Sequence, residues 1–148
     1  MAKHRVSLLL GEGGEVMSYE EFMNKRYSLD AIRPLAFSLT GNQTQAQELA
    51  EESKHIIFQS LRIKPATFSG HPLKFIVCGL FYLLSVRKHG VEGRFRQREI
   101  SVKMGMNERT VRHSVKFWLG KFPMLFKDFS VSKNGDVMYV GKGKEENA

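Results

Sequence analysis

Apolar positions recur at helical spacing over most of this chain. Residues 43–63 place Ala46, Leu49, Ala50, Ile57 and Leu61 near helical spacing, which predicts an amphipathic helix with one buried face. Residues 30–40 form a further helical stretch that Gly41-Asn42 ends. We therefore expect a mainly α protein.

Residues 71–89 have a different pattern, because almost no polar position occurs before the final Arg87-Lys88-His89. A helix that is apolar all round is buried all round, so we expect the other helices to pack around this one. Its small residues Cys78 and Gly79 would let a neighbouring helix approach closely.

Short alternating segments at both ends predict β-hairpins around the turns at residues 11–14 and Asn134-Gly135. Their strands are expected at residues 5–10, 15–19, 129–133 and 136–140. The two hairpins could join in one sheet or offer edges to another chain. Ser18 and Glu21 have capping-box spacing, which predicts a short helix from Tyr19 to about Tyr27.

Residues 96–118 have the pattern of a helix-turn-helix, the layout that places a helix in the DNA major groove. Gly105 lies where the first helix must end, because glycine enters the left-handed region without steric cost. Asn107 is expected to cap the second helix, with Glu108 in its first turn.

The second helix of this motif has two different faces. Its apolar positions follow steps of four, three and four: Val111, Val115, Trp118 and Phe122. Its basic positions follow steps of three, one and three: Arg109, Arg112, His113 and Lys116. Gly120 and Pro123 are expected to end the helix. One face therefore suits a core, and the other suits phosphates and base edges.

The charge of the chain is concentrated on the same segment. The net charge is +8 over 148 residues, and residues 62–127 hold 14 Lys and Arg against three Asp and Glu. The flanking segments 1–61 and 128–148 are both slightly acidic. A basic excess confined to one region is the electrostatic pattern expected of a protein that binds a polyanion.

Other features argue against several classes of protein. The single cysteine and the five histidines show no disulfide or metal-ligand spacing, and no serine or cysteine has the context of a nucleophile. The longest apolar run, residues 75–86, is shorter than the roughly 20 residues that span a bilayer. We expect a soluble, intracellular, single-domain protein of the cytoplasm, nucleoid or nucleus, with no enzymatic activity, cofactor or metal.

Double-stranded DNA is therefore the expected partner. The predicted DNA-binding residues are Arg94, Arg96, Arg98, Arg109, Thr110, Arg112, His113 and Lys116. Those on the second helix would reach base edges or phosphates, since the planar arginine fork suits bidentate contact with guanine. The three arginines at residues 94–98 precede or begin the first helix, which usually crosses the sugar-phosphate backbone.

The order of these segments resembles the cyclin-like repeat of transcription factor IIB and its archaeal counterpart, over about residues 28–129. The resemblance is carried by Pro72-Leu73, Leu80-Phe81-Tyr82, His89-Gly90, Gln97-Arg98-Glu99-Ile100, Gly105-Met106 and Thr110-Val111-Arg112. It implies a five-helix bundle around a central buried helix, with terminal hairpins outside the repeat.

The same resemblance implies a function. Arg109 and Arg112 fall where that family's base-reading side chains lie, and other surfaces of the family meet the TATA-binding protein or other transcription machinery. We expect neither a zinc ribbon nor a second repeat here, so the resemblance does not extend to polymerase recruitment or to full clamping of the TATA-binding protein. The expected division is a hairpin and short helix (1–27), a cyclin-like core (28–127), a hairpin (128–141) and a tail (142–148).

Two alternatives remain open from the sequence. In the first, the chain is a winged-helix regulator whose wing is residues 129–140, lying beside the recognition helix. In the second, it is a cyclin-like protein-interaction module whose basic face binds an acidic protein and no DNA. Its oligomeric state is not predicted.

Overall fold

The fold is mainly helical, as the sequence predicts. The computed structural model describes residues 9–10, 16–89, 96–131 and 137–139. The helices are α1 (Tyr19–Arg26), α2 (Leu29–Thr40), α3 (Gln43–Ile63), α4 (Leu73–His89), α5 (Gln97–Lys103) and α6 (Glu108–Lys121). The strands are β1 (Leu9–Leu10), β2 (Val16–Met17), β3 (Phe129–Val131) and β4 (Val137–Tyr139). Short 3-10 helices lie at Pro65–Phe68 and Pro123–Leu125.

Side-chain caps start the first three helices. Ser18 and Glu21 form the predicted capping box of α1, each side chain accepting at 3.1 Å from the other's backbone N–H. Ser28 caps α2. Asn42 caps α3 by accepting from the backbone N–H of Gln45 at 2.8 Å. The predicted break before α3 is confirmed at Gly41, whose φ of 67° is left-handed.

Helix α4 is the centre of the bundle, which confirms the expectation from its apolar sequence. Every residue from Ile76 to Val86 is buried. Helices α2, α3, α5 and α6 all pack against α4. The core extends to Phe68 of the first 3-10 helix, whose ring lies 5.4 Å from that of Trp118 and 5.8 Å from that of Tyr27. These ring contacts of Phe68 hold the connection between α3 and α4 against α6 and against the end of α1.

The two hairpins form separate two-stranded antiparallel sheets in the described part of the chain. A shared sheet, one of the two expectations, is therefore wrong for these residues. Strand β2 ends at Met17, so Tyr19 belongs to α1 and not to a strand. The predicted turns at residues 11–14 and Asn134-Gly135 lie outside the described residues.

The second hairpin packs on α4, and Arg87 is the residue that anchors it. The guanidinium carbon of Arg87 lies 5.5 Å from the ring centroid of Phe129, 5.9 Å from that of Phe126 and 6.0 Å from that of Tyr139. The same side chain donates to the backbone oxygen of Leu125 at 3.3 Å. Val137 of β4 is buried in the core.

Candidate nucleic-acid interface

A glycine turn joins α5 to α6, as predicted. Gly105 has a φ of 66°. The backbone N–H of Met106 donates to the oxygen of Ser101 at 2.8 Å, and that of Gly105 donates to Val102 at 3.2 Å. These two bonds are a Schellman motif, which satisfies the free carbonyls at the end of α5. Asn107 then caps α6 by accepting from the backbone N–H of Arg109 at 2.8 Å.

The inner face of α6 is the predicted apolar stripe, and all four of its members are buried: Val111, Val115, Trp118 and Phe122. Trp118 is completely buried, and its indole Nε1 donates to the backbone oxygen of Ile76 at 2.8 Å. This bond crosses from α6 to α4, so it fixes both the rotation and the axial position of α6.

Gly79 brings the two helix backbones together, as its small size predicts. The hydroxyl of Ser114 accepts from the backbone N–H of Gly79 at 3.0 Å and donates to the oxygen of Phe75. A Cβ at Gly79 would lie 2.4 Å from that hydroxyl oxygen and 2.6 Å from the backbone nitrogen of Val115. Any side chain larger than hydrogen would therefore force α4 and α6 apart.

Cys78 belongs to this same contact. Its thiol is buried and donates to the oxygen of Phe75 at 3.4 Å. Burial raises the pKa of Cys78 from 9.0 to about 11, although hydrogen bonds with Ser114 and nearby backbone oppose the rise. The thiol is therefore held neutral as part of the packing.

The outer face of α6 is basic and exposed. Arg109, Arg112, His113 and Lys116 are all exposed, and they lie on the side of the helix opposite the buried stripe. The structure thus places these four predicted site residues on one surface. Thr110 lies at the edge of this surface, one turn before His113 on the same helix, and it is half-buried.

The predicted arginines before and on α5 have separate positions. Arg96 and Arg98 are exposed at the start of α5, a helix that packs against α6. Arg94 lies outside the described residues. The described part of the interface therefore consists of one stripe on α6 and two arginines on the neighbouring helix.

Two residues of α6 differ from the sequence expectation. Gly120 was expected to end the helix, but α6 continues through it to Lys121, and the backbone of Gly120 has no positive φ. A Cβ added at Gly120 would have no other atom within 4 Å. Glu108 was expected only to favour the helix start, but its carboxylate also lies 3.3 Å from the guanidinium of Arg112. The spacing of four residues could have predicted this pair.

The chain matches no family model, no curated protein and no solved structure. Among the described residues, no three His, Cys, Asp or Glu side chains group closely enough to hold a metal ion. None of the described helices has the length and apolar character needed to cross a membrane.

Proposed function

We propose that this chain is a sequence-specific DNA-binding transcription factor or regulator that places α6 in the major groove. One observation carries the proposal: the outer face of α6 is an exposed basic stripe, while its inner face is fixed to the core. A rigidly held helix can present side chains to base edges with little loss of conformational freedom on binding.

The fold that we propose for the core is the cyclin-like repeat of transcription factor IIB. The order of α2 to α6, with α4 buried at the centre, is what that resemblance implies. The resemblance also supports an intracellular role in transcription, with the TATA-binding protein or other transcription machinery as further partners. Base reading falls to Arg109 and Arg112, and phosphate contact to Lys116, His113, Arg96 and Arg98.

The winged-helix alternative has weaker support. A wing would lie beside the recognition helix and contact the DNA backbone. The hairpin β3–β4 instead packs on α4 through Arg87 and its ring contacts. The interaction-module alternative uses the same basic face with an acidic protein, so DNA titration is the measurement that separates it from our proposal.

Fluorescence anisotropy with a labelled duplex, repeated over a range of salt concentrations, tests the proposal. With about four to six phosphate contacts, the logarithm of the affinity should fall against the logarithm of the salt concentration with a slope of about −4 to −5. The absence of binding to any duplex at low salt would rule out both our proposal and the winged-helix alternative. The interaction-module alternative would then remain.

A pair of variants then separates base reading from phosphate contact. We expect Arg109→Ala to cost about 1–3 kcal/mol on the preferred sequence and to relax specificity. Lys116→Ala should weaken binding to all sequences alike and lower the salt slope by about 1. Equal effects of the two variants on every sequence would show that Arg109 reads no base.

A further inference from the structure

Glu108 is an acidic residue at the edge of the surface that we propose binds phosphates. It is the one acidic residue of α6, it is the first residue of that helix, and its neighbour Arg109 belongs to the exposed basic stripe. A carboxylate at this position repels a polyanion and so lowers affinity for every duplex. Capping does not require it, because Asn107 already accepts the backbone N–H of Arg109.

Glu108 forms an ion pair with Arg112, so Arg112 is the residue whose conformation it can restrict. Its Oε2 lies 3.3 Å from Nη1 of Arg112, one helical turn further along the same helix. The side chains are 44% exposed for Glu108 and 51% for Arg112, so the pair is about half exposed at the edge of the stripe. A free arginine samples many rotamers, and a carboxylate one turn away restricts where the guanidinium can lie.

We propose that Glu108 is a positioning residue for Arg112. The pair increases the specificity of the chain for its preferred DNA sequence. This inference rests on the proposed DNA-binding function. The carboxylate holds the guanidinium fork where it can meet a guanine edge in two hydrogen bonds. At a site without that guanine, the repulsion between Glu108 and nearby phosphates is not offset. The pair therefore lowers affinity for wrong sequences more than for the right one, which is how a repulsive element produces specificity.

The chain supplies a matched control. On α5, Glu99 and Lys103 are also four residues apart, their charged atoms are also 3.3 Å apart, and their side chains are 40% and 43% exposed. This second pair lies on the helix that we expect to cross the backbone and not on the base-reading helix. Glu99→Gln therefore removes the same charge from an equivalent pair without disturbing an arginine that reads bases.

The experiment measures affinity for two duplexes by fluorescence anisotropy. One is the duplex that the wild-type chain enriches most from a random pool, and the other is a shuffled duplex of the same composition. The proteins compared are the wild type, Glu108→Gln, Arg112→Ala, the double variant and Glu99→Gln. Thermal unfolding of each variant verifies that the fold is kept.

We expect Glu108→Gln to tighten binding to the shuffled duplex and to lower the ratio of the two affinities by about tenfold, the order of one loosened bidentate contact. In the Arg112→Ala background the same change should leave the ratio constant, and Glu99→Gln should raise both affinities alike. The proposal is overturned if Glu108→Gln also raises both affinities by one factor, or if it changes the ratio equally with and without Arg112. If the wild-type chain binds neither duplex, that result would instead overturn the DNA-binding function itself.

Discussion

Helices α4 and α6 lie against each other and use their side chains in opposite ways. Helix α4 is buried on all sides from Ile76 to Val86, so nearly every side chain contributes to the core. Helix α6 buries one stripe and exposes the opposite one. The difference shows that stability depends on every side of α4 between Ile76 and Val86 and on only one side of α6. The outer half of α6 is therefore free to carry function.

Removal of the side chain that joins the two helices should have the largest effect. Trp118→Ala deletes a completely buried indole, its contact with Phe68 and its hydrogen bond to Ile76. We expect a loss of about 3–5 kcal/mol in the free energy of unfolding. Urea denaturation followed by circular dichroism measures it, because the chain then contains no tryptophan to report by fluorescence.

Trp118→Phe is the control for this prediction. It keeps an aromatic ring in the site and removes the N–H donor, so it should cost less than the alanine variant. A loss below about 1 kcal/mol for Trp118→Ala would contradict the role given to this side chain, because buried aromatic truncations normally cost several times more.

A methyl group added on the α4 side of the contact should have the next largest effect. Gly79→Ala places a Cβ 2.4 Å from the Ser114 hydroxyl, so the helices must separate and their hydrogen bonds must weaken. We expect a loss of about 1–3 kcal/mol, even though alanine is the better helix former. The urea midpoint measures it, and an unchanged or higher midpoint would mean that the helices are not in close contact at Gly79.

The same substitution on the open side of α6 should have the smallest effect and the opposite sign. Gly120 is helical, and an added Cβ would meet no atom within 4 Å. Gly120→Ala should therefore raise the free energy of unfolding by about 0.5–1 kcal/mol. It is also the matched control for Gly79→Ala. A loss of stability at Gly120 would show that the outer face of α6 is packed and not open.

Much of this fold could be predicted from local signals. Helix α3 has the predicted bounds, Gln43–Ile63, because Asn42 caps its start and Pro65 follows its end. The burial of α4 followed from an almost uninterrupted apolar sequence. The exposed stripe of α6 followed from its spacing, since basic and apolar positions alternate with the helical period.

The errors arose where the outcome depends on context beyond the local sequence. Gly120 was expected to stop α6, but glycine is compatible with a helix at a modest cost, and Phe122 supplies buried packing just beyond it. The position of the second hairpin depends on Arg87 and rings that come together only after folding.

The division of α6 also determines how this protein can change over evolutionary time. The exposed residues of its outer face make no contribution to the core, so new side chains at Arg109, Arg112, His113 and Lys116 carry little penalty in folding. Preference for a new ligand can therefore arise by single substitutions that keep the scaffold intact. The Gly79–Ser114 contact, by contrast, tolerates almost no substitution at Gly79. We therefore expect it to be conserved during evolution.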